Sequence, residues 1–126
     1  MAAAVTRIEE TFGPIKKITW AWTAHTDGVV AADTTNAETT ITYDGEIIRL
    51  VTVPGTLTEQ PDDNYSVIVY DDDNTDVLMG AGANRDETNT EQVLASSLGC
   101  VAYDKLRLYV SGAGSGTKGT VYLYIR

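Results

Sequence analysis

The chain has one cysteine, Cys100, so no intrachain disulfide can form and the fold cannot depend on an oxidising compartment. It has one histidine, His25, so only one Cys–His pair is available for nucleophilic chemistry. Cysteine is more often a small buried hydrophobe, and His25 reads as a satisfied surface residue. Bases are scarce: 9 lysines and arginines stand against 18 acids, a formal net charge of −9. Binding nucleic acid requires cations to neutralise phosphates, and anionic membranes make the same demand, so neither partner is expected. An acidic surface mainly confers solubility and steers toward basic partners. Long apolar runs are missing too. No segment approaches the ~20 apolar residues of a membrane span, and the opening MAAAVTRIEE lacks the basic head and apolar stretch of a secretory signal.

What is present is a β pattern. A chain of 126 residues is one domain's worth. We expect residues 1–10 to form an N-terminal arm or edge strand and residues 11–126 a single β domain. After the Gly13-Pro14 turn signal, residues 15–25 alternate. Ile18, Trp20, Trp22 and Ala24 share one face, and Lys17, Thr19, Ala21, Thr23 and His25 the other. The two tryptophans on one face read as core; exposed, they would suggest a sugar-stacking surface. Further strand signals lie at residues 39–43, 46–53, 65–70, 77–79, 101–103, 106–110 and 120–126. Asp44-Gly45 reads as a hairpin turn or a bulge. Residues 46–53 are apolar on both faces, as in a strand covered on both sides, with another subunit as one possible cover. Only TEQVLASS, residues 90–97, has any helical preference, and it is too short for more than a single turn or coil. The pattern predicts an all-β fold of about seven or eight strands: an antiparallel, jelly-roll-like β-sandwich or a small barrel.

The stretch from Asn64 to Gln92 holds the motifs that invite chemistry. Asp71, Asp73 and Asp76 are calcium candidates by residue type. A helix-loop-helix calcium loop needs glycine at its sixth position and glutamate at its twelfth. Counted from Asp71 these are Asp76 and Gly82, and counted from Asp72 they are Val77 and Ala83, so the motif fails. Asp and Asn suit turns because they bond nearby backbone and tolerate left-handed conformations. Tyr70-Asp71-Asp72 has the look of a polymerase metal hairpin, in a chain too short and too acidic for one. The glycine loops at residues 80–85 and 112–116 lack the lysine and the strand–turn–helix setting of phosphate loops. Asn64-Tyr65-Ser66 fits a glycosylation sequon by chance. Neither a nucleophile with a base nor a distinctive carboxylate pair stands out. No catalytic residue and no cofactor are expected.

Residues 53–93, VPGTLTEQPDDNYSVIVYDDDNTDVLMGAGANRDETNTEQV, resemble a group of small proteins encoded in the head-gene region of tailed bacteriophages. The shared features are Pro54-Gly55, the Pro61 to Tyr65 segment, the Asp71 to Asp76 hairpin, Val77-Leu78, the Gly80 to Arg85 loop and Thr90-Glu91. The likeness covers about a third of the chain. It departs at the hairpin tip, where Asn74-Thr75 stands in place of the group's frequent Asp-Gly. The resemblance implies a virion structural protein on the capsid exterior, of the decoration or cement type, partnered by the major capsid protein and without catalytic residues. Such a protein needs a compact body and a surface for its neighbours. Val5 and Ile8 on the arm, Ile47 and Val51 on the doubly apolar strand, and Tyr122 and Tyr124 on the last strand are the interface candidates. Closed symmetry makes a homodimer or homotrimer natural. Gly80, Gly82, Asn84 and Arg85 are expected to form a structural loop, with Arg85 held by a carboxylate or backbone carbonyls. The competing expectations are a phage tail, adaptor or fibre domain, and a carbohydrate-binding module that stacks sugars on Trp20, Trp22 or the tyrosines.

Overall fold

A computed structural model describes residues 2–126; Met1 lies outside the described residues. The protein is all-β, with seven antiparallel strands and, among the described residues, no α-helix. The strands are β1 (Ala4–Phe12), β2 (Ile15–Thr23), β3 (Ile47–Pro54), β4 (Ser66–Tyr70), β5 (Glu91–Leu94), β6 (Arg107–Ser111) and β7 (Lys118–Ile125). Five form one sheet in the order β1-β2-β7-β3-β5, and β4 and β6 form a second. The sheets do not close into a barrel, so the sandwich alternative holds.

The N-terminal segment is an edge strand. β1 pairs with β2 along its whole length, from Ala4 opposite Thr23 to Phe12 opposite Ile15. The two-residue connection Gly13-Pro14 needs a left-handed first residue, and Gly13 supplies it at φ +58°. The β2 alternation falls as its sequence predicts: Ile18, Trp20, Trp22 and Ala24 are all buried. β7 is threaded between β2 and β3 with Gly119 opposite Trp22. A Cβ on Gly119 would lie 2.4 Å from the Trp22 ring, so only glycine leaves room for that indole.

Three sequence expectations are corrected. Residues 39–43, 77–79 and 101–103 are not ladder strands; each makes at most isolated bridges or single turns of bonding. The TEQVLASS segment is not merely a turn: its first half is β5, followed by a 3-10 turn at Ala95–Ser97. The free edge of β3 recruits β5 through four register pairs, and tertiary pairing overrides a weak helical preference. The doubly apolar look of residues 46–53 arises partly from a register shift between Ile47 and Arg49. This bulge lets Ile47 and Leu50, three apart, both point into the core.

The core lies between the layers. Trp20, Trp22, Ile18, Leu50 and Leu123 of the five-stranded sheet meet Tyr65, Val67, Val69, Leu108 and Val110 of the other layer, all at most 1% exposed. The Trp22 and Tyr65 rings meet at 5.6 Å, tilted by 55°. Coil widens the two-stranded layer on both sides. Val30 and Val110 exchange backbone hydrogen bonds along β6, and Val77, Gly82 and Arg85 bond to Val69, Val67 and Tyr65 along β4.

Candidate functional site

Two of the four aspartates in the acidic hairpin, Asp71 and Asp76, spend their carboxylates on its own backbone. Asp71 is 8% exposed. Its Oδ1 accepts from the amides of Asp73 (2.9 Å) and Thr75 (3.0 Å), while Asn74 takes the left-handed corner at φ 61°. Asp76 accepts from Leu78 on Oδ1 and from Gly80 on Oδ2, each at 2.9 Å. Arg107 donates to the Asp71 carbonyl at 3.1 Å and to the Asn74 side chain. Asp73 stays at the exposed tip. Among the described residues, no group of three or more His, Cys, Asp or Glu is arranged to hold a metal ion.

The following loop is built in the same way. Gly80 (φ +82°) and Asn84 (φ 56°) take left-handed conformations, and a Cβ on Gly82 would lie 2.1 Å from the Val67 carbonyl oxygen. Arg85 donates from Nε (3.2 Å) and Nη2 (3.1 Å) to the Ala83 carbonyl, and its Nη1 lies 3.7 Å from Glu91 on β5. The loop is thus tied to itself and, through Glu91, to the other sheet.

His25 and Cys100 do not meet. His25 follows the end of β2 where Thr23 pairs with Lys118. The Cys100 carbonyl is bonded to Ile47, whose β7 partner Ile125 pairs with Lys16 at the opposite end of β2. Seven strand residues at ~3.3 Å put on the order of 20 Å between them. His25 contacts Asp27 at 3.3 Å instead.

The edge strand is clamped to the segment beneath it. Arg7 donates to the Asn36 and Glu38 carbonyls, the latter at 2.6 Å, and pairs with Glu9 at 3.0 Å. Glu9 accepts from the Thr40 amide and hydroxyl and from the Tyr43 hydroxyl. Burial opposes ionisation of Glu9, but these hydrogen bonds outweigh it and hold the carboxyl below its ordinary value. Burial and the Glu9 hydrogen bond keep the Tyr43 phenol protonated well above its own ordinary value.

What remains is the outer face of the five-stranded sheet. Register fixes the outward residues. Thr6, Ile8, Glu10 and Phe12 on β1 oppose Ala21, Thr19, Lys17 and Ile15 on β2. Thr120, Tyr122 and Tyr124 on β7 oppose Val53, Val51 and Arg49 on β3, and the last two oppose Gln92 and Leu94 on β5. Ile8, Phe12 and Leu94 are 53%, 56% and 57% exposed, and Tyr122 and Tyr124 are half-buried. The six interface candidates divide on this geometry. Ile8, Tyr122 and Tyr124 sit on the open face. Val5 and Ile47 are core residues instead, 6% and 0% exposed, because both point inward in register. Val51 points outward, but its neighbours leave it 7% exposed and with little surface to offer. Sequence reasoning passed over Phe12, Leu94 and Arg49; β2 parity already put Lys17 on this side.

Trp20 and Trp22 are 0% and 1% exposed and cannot stack a sugar. On the opposite layer Tyr70 and Tyr109 meet edge to face at 6.1 Å beside Arg107. With Asn74 and Asp33 they line an open concavity of about 520 Å³. Comparison with protein-family models, curated proteins and solved structures finds no match to this chain.

Proposed function

We propose that the chain is a bacteriophage virion structural protein, a decoration or cement protein that binds the major capsid protein on the outside of the shell. The observation that carries this reading is the open, apolar and aromatic face of the five-stranded sheet, where Ile8, Phe12 and Leu94 are exposed beside Tyr122 and Tyr124. The likeness of residues 53–93 to head-region phage proteins adds to it. A sandwich whose edge strand is pinned by Arg7 and Glu9, and whose loops are tied by Asp71, Asp76 and Arg85, suits a protein that must stay folded on a particle without disulfides. Self-association into a dimer or trimer at a capsid symmetry axis belongs to the same proposal.

The test is the copy number in purified particles, by mass measurement or quantitative gel analysis. We expect copies in the hundreds, on the order of the capsid protein's own count. A handful per particle would favour a tail, adaptor or fibre role, and none would remove the virion reading. A second reading, saccharide binding, draws on the Tyr70–Tyr109 concavity alone. Glycan-array binding abolished in Tyr109→Ala would favour it.

A further inference from the structure

We propose that the outer face of the five-stranded sheet docks a protein surface bearing carboxylates, which meet Lys17 and Arg49. The inference rests on the virion reading for where that partner is found, and it specifies the chemistry of the contact.

Charge is segregated on this molecule. The chain carries 18 acids and 9 bases. Among the outward strand positions of the five-stranded sheet, Glu10 is the one acid, against Lys17, Arg49 and Lys118. Lys118 is engaged by Glu59 at 2.8 Å at the rim. Lys17 faces Glu10 across the ladder, yet its ammonium turns the other way. It sits 4.5 Å from the Tyr122 ring centre and 5.6 Å from that of Tyr124. Arg49 approaches Tyr124 from the far side at 4.9 Å, and its Nε donates to Gln92 at 3.0 Å. Lys17, Tyr124 and Arg49 lie in one register row, so two cations flank one ring. Among the described residues, neither cation has a carboxylate within 4.0 Å. The rings hold the cations in place, and the Gln92 bond fixes the guanidinium. Each cation is therefore prearranged to meet a carboxylate of its own, one on either side of Tyr124.

The surroundings select the kind of anion. Ile8 and Phe12 on one side and Leu94 on the other present exposed apolar surface. A face that combines Tyr, Arg and aliphatic residues has the composition of a protein interface core. A phosphate polymer or an anionic bilayer would meet two free cations on a body of net charge −9. A second copy stacked face to face would set the same cations against each other around a two-fold axis. Four strand spacings of ~4.8 Å and about eight residues at ~3.3 Å make the face roughly 20 by 25 Å, at the small end of specific interfaces.

The test is zero-length carbodiimide cross-linking of purified virions that carry the full-length chain, with the joined peptides read by mass spectrometry. The expected product is an amide between Lys17 Nζ and an Asp or Glu of the shell protein. Lys17→Glu and Arg49→Glu should each lower the bound copies at least tenfold and Lys17→Arg should not, with circular dichroism unchanged in all three. A Lys17 link to a second copy of this chain would overturn the inference by identifying another occupant. Copies that stay bound while Lys17 remains open to acetylation and Arg49→Glu binds normally would overturn it and leave the virion reading standing. Absence of the chain from the particles would remove that reading and the inference with it.

Discussion

In the five-stranded sheet, backbone pairs with backbone along most of every strand, and Lys17, Arg49 and the tyrosines are left free to face outward. In the opposite layer only β4 and β6 form a ladder, over five register pairs. Coil lies along both of its edges, and the carboxylates of Asp71 and Asp76 bond the amides that no strand satisfies. The same residue type thus has different consequences in the two layers. In the coil-rich layer Asp71 and Asp76 are structural, consumed by turns. In the regular layer the structural acids, Glu9 and Glu91, point inward, and the outward strand positions carry one acid, Glu10, against Lys17, Arg49 and Lys118. An abundance of aspartate marks where the backbone needs help, and the proposed docking face lies where aspartate is scarce.

The comparison can be broken or sharpened by substitution. The largest effect is expected at Trp20, fully buried in the five-stranded sheet and donating from Nε1 to Ala37 beneath it at 3.0 Å. Trp20→Ala should cost about 3–5 kcal/mol in urea denaturation and unfold both layers in one transition. Two separate transitions would show that the layers do not share a core. Next, Asp71→Ala and Asp76→Ala should each cost about 1–2 kcal/mol by stranding turn amides. Asp72→Ala, whose side chain is exposed, should change stability by less than ~0.5 kcal/mol. Equal losses at all three positions, or a melting temperature that falls on chelation and returns with calcium, would make the hairpin a metal site.

A smaller, pH-dependent effect is expected at the β1 clamp. The Glu9 carboxyl is held below its ordinary 4.5, so the stability it contributes is present above that value. It is lost as the pH falls through the lowered folded value. Protection of the Thr40 amide, relative to its intrinsic exchange rate, should fall as Glu9 protonates below its ordinary value, and Glu9→Gln should abolish that change in protection. The smallest change is a gain. Leu57 is 89% exposed at φ 58°, a left-handed conformation that leucine adopts at a cost. Leu57→Gly should raise stability by up to about 1 kcal/mol, and a loss would mean that the leucine side chain has a partner in the folded protein.

Much of the regular layer was legible in the sequence. Period-2 alternation in β2 identifies a strand with one covered face and places Trp20 and Trp22 inward, and Tyr122 and Tyr124 on β7 fall on the outward side expected of them. β5 was hidden because four residues at a sheet edge, alternating half-buried and exposed, carry no strong pattern. Residues 39–43 and 101–103 read as strands because short apolar runs do not say whether a partner edge is free. The proposed docking face was only half legible. Inward and outward follow from register, and the β3 bulge reverses the parity that a simple alternation assigns to Ile47. The cation–Tyr124–cation row joins three strands distant in sequence, so no local pattern announces it.

The most direct measurement is a cryo-EM reconstruction of virions at a resolution that orients the sandwich. The account predicts symmetric copies over the whole shell, with Tyr124, Lys17 and Arg49 against the capsid protein and the Asp71–Asp76 tip away from it. Density confined to a vertex or tail, or a five-stranded sheet turned toward solvent, would contradict it.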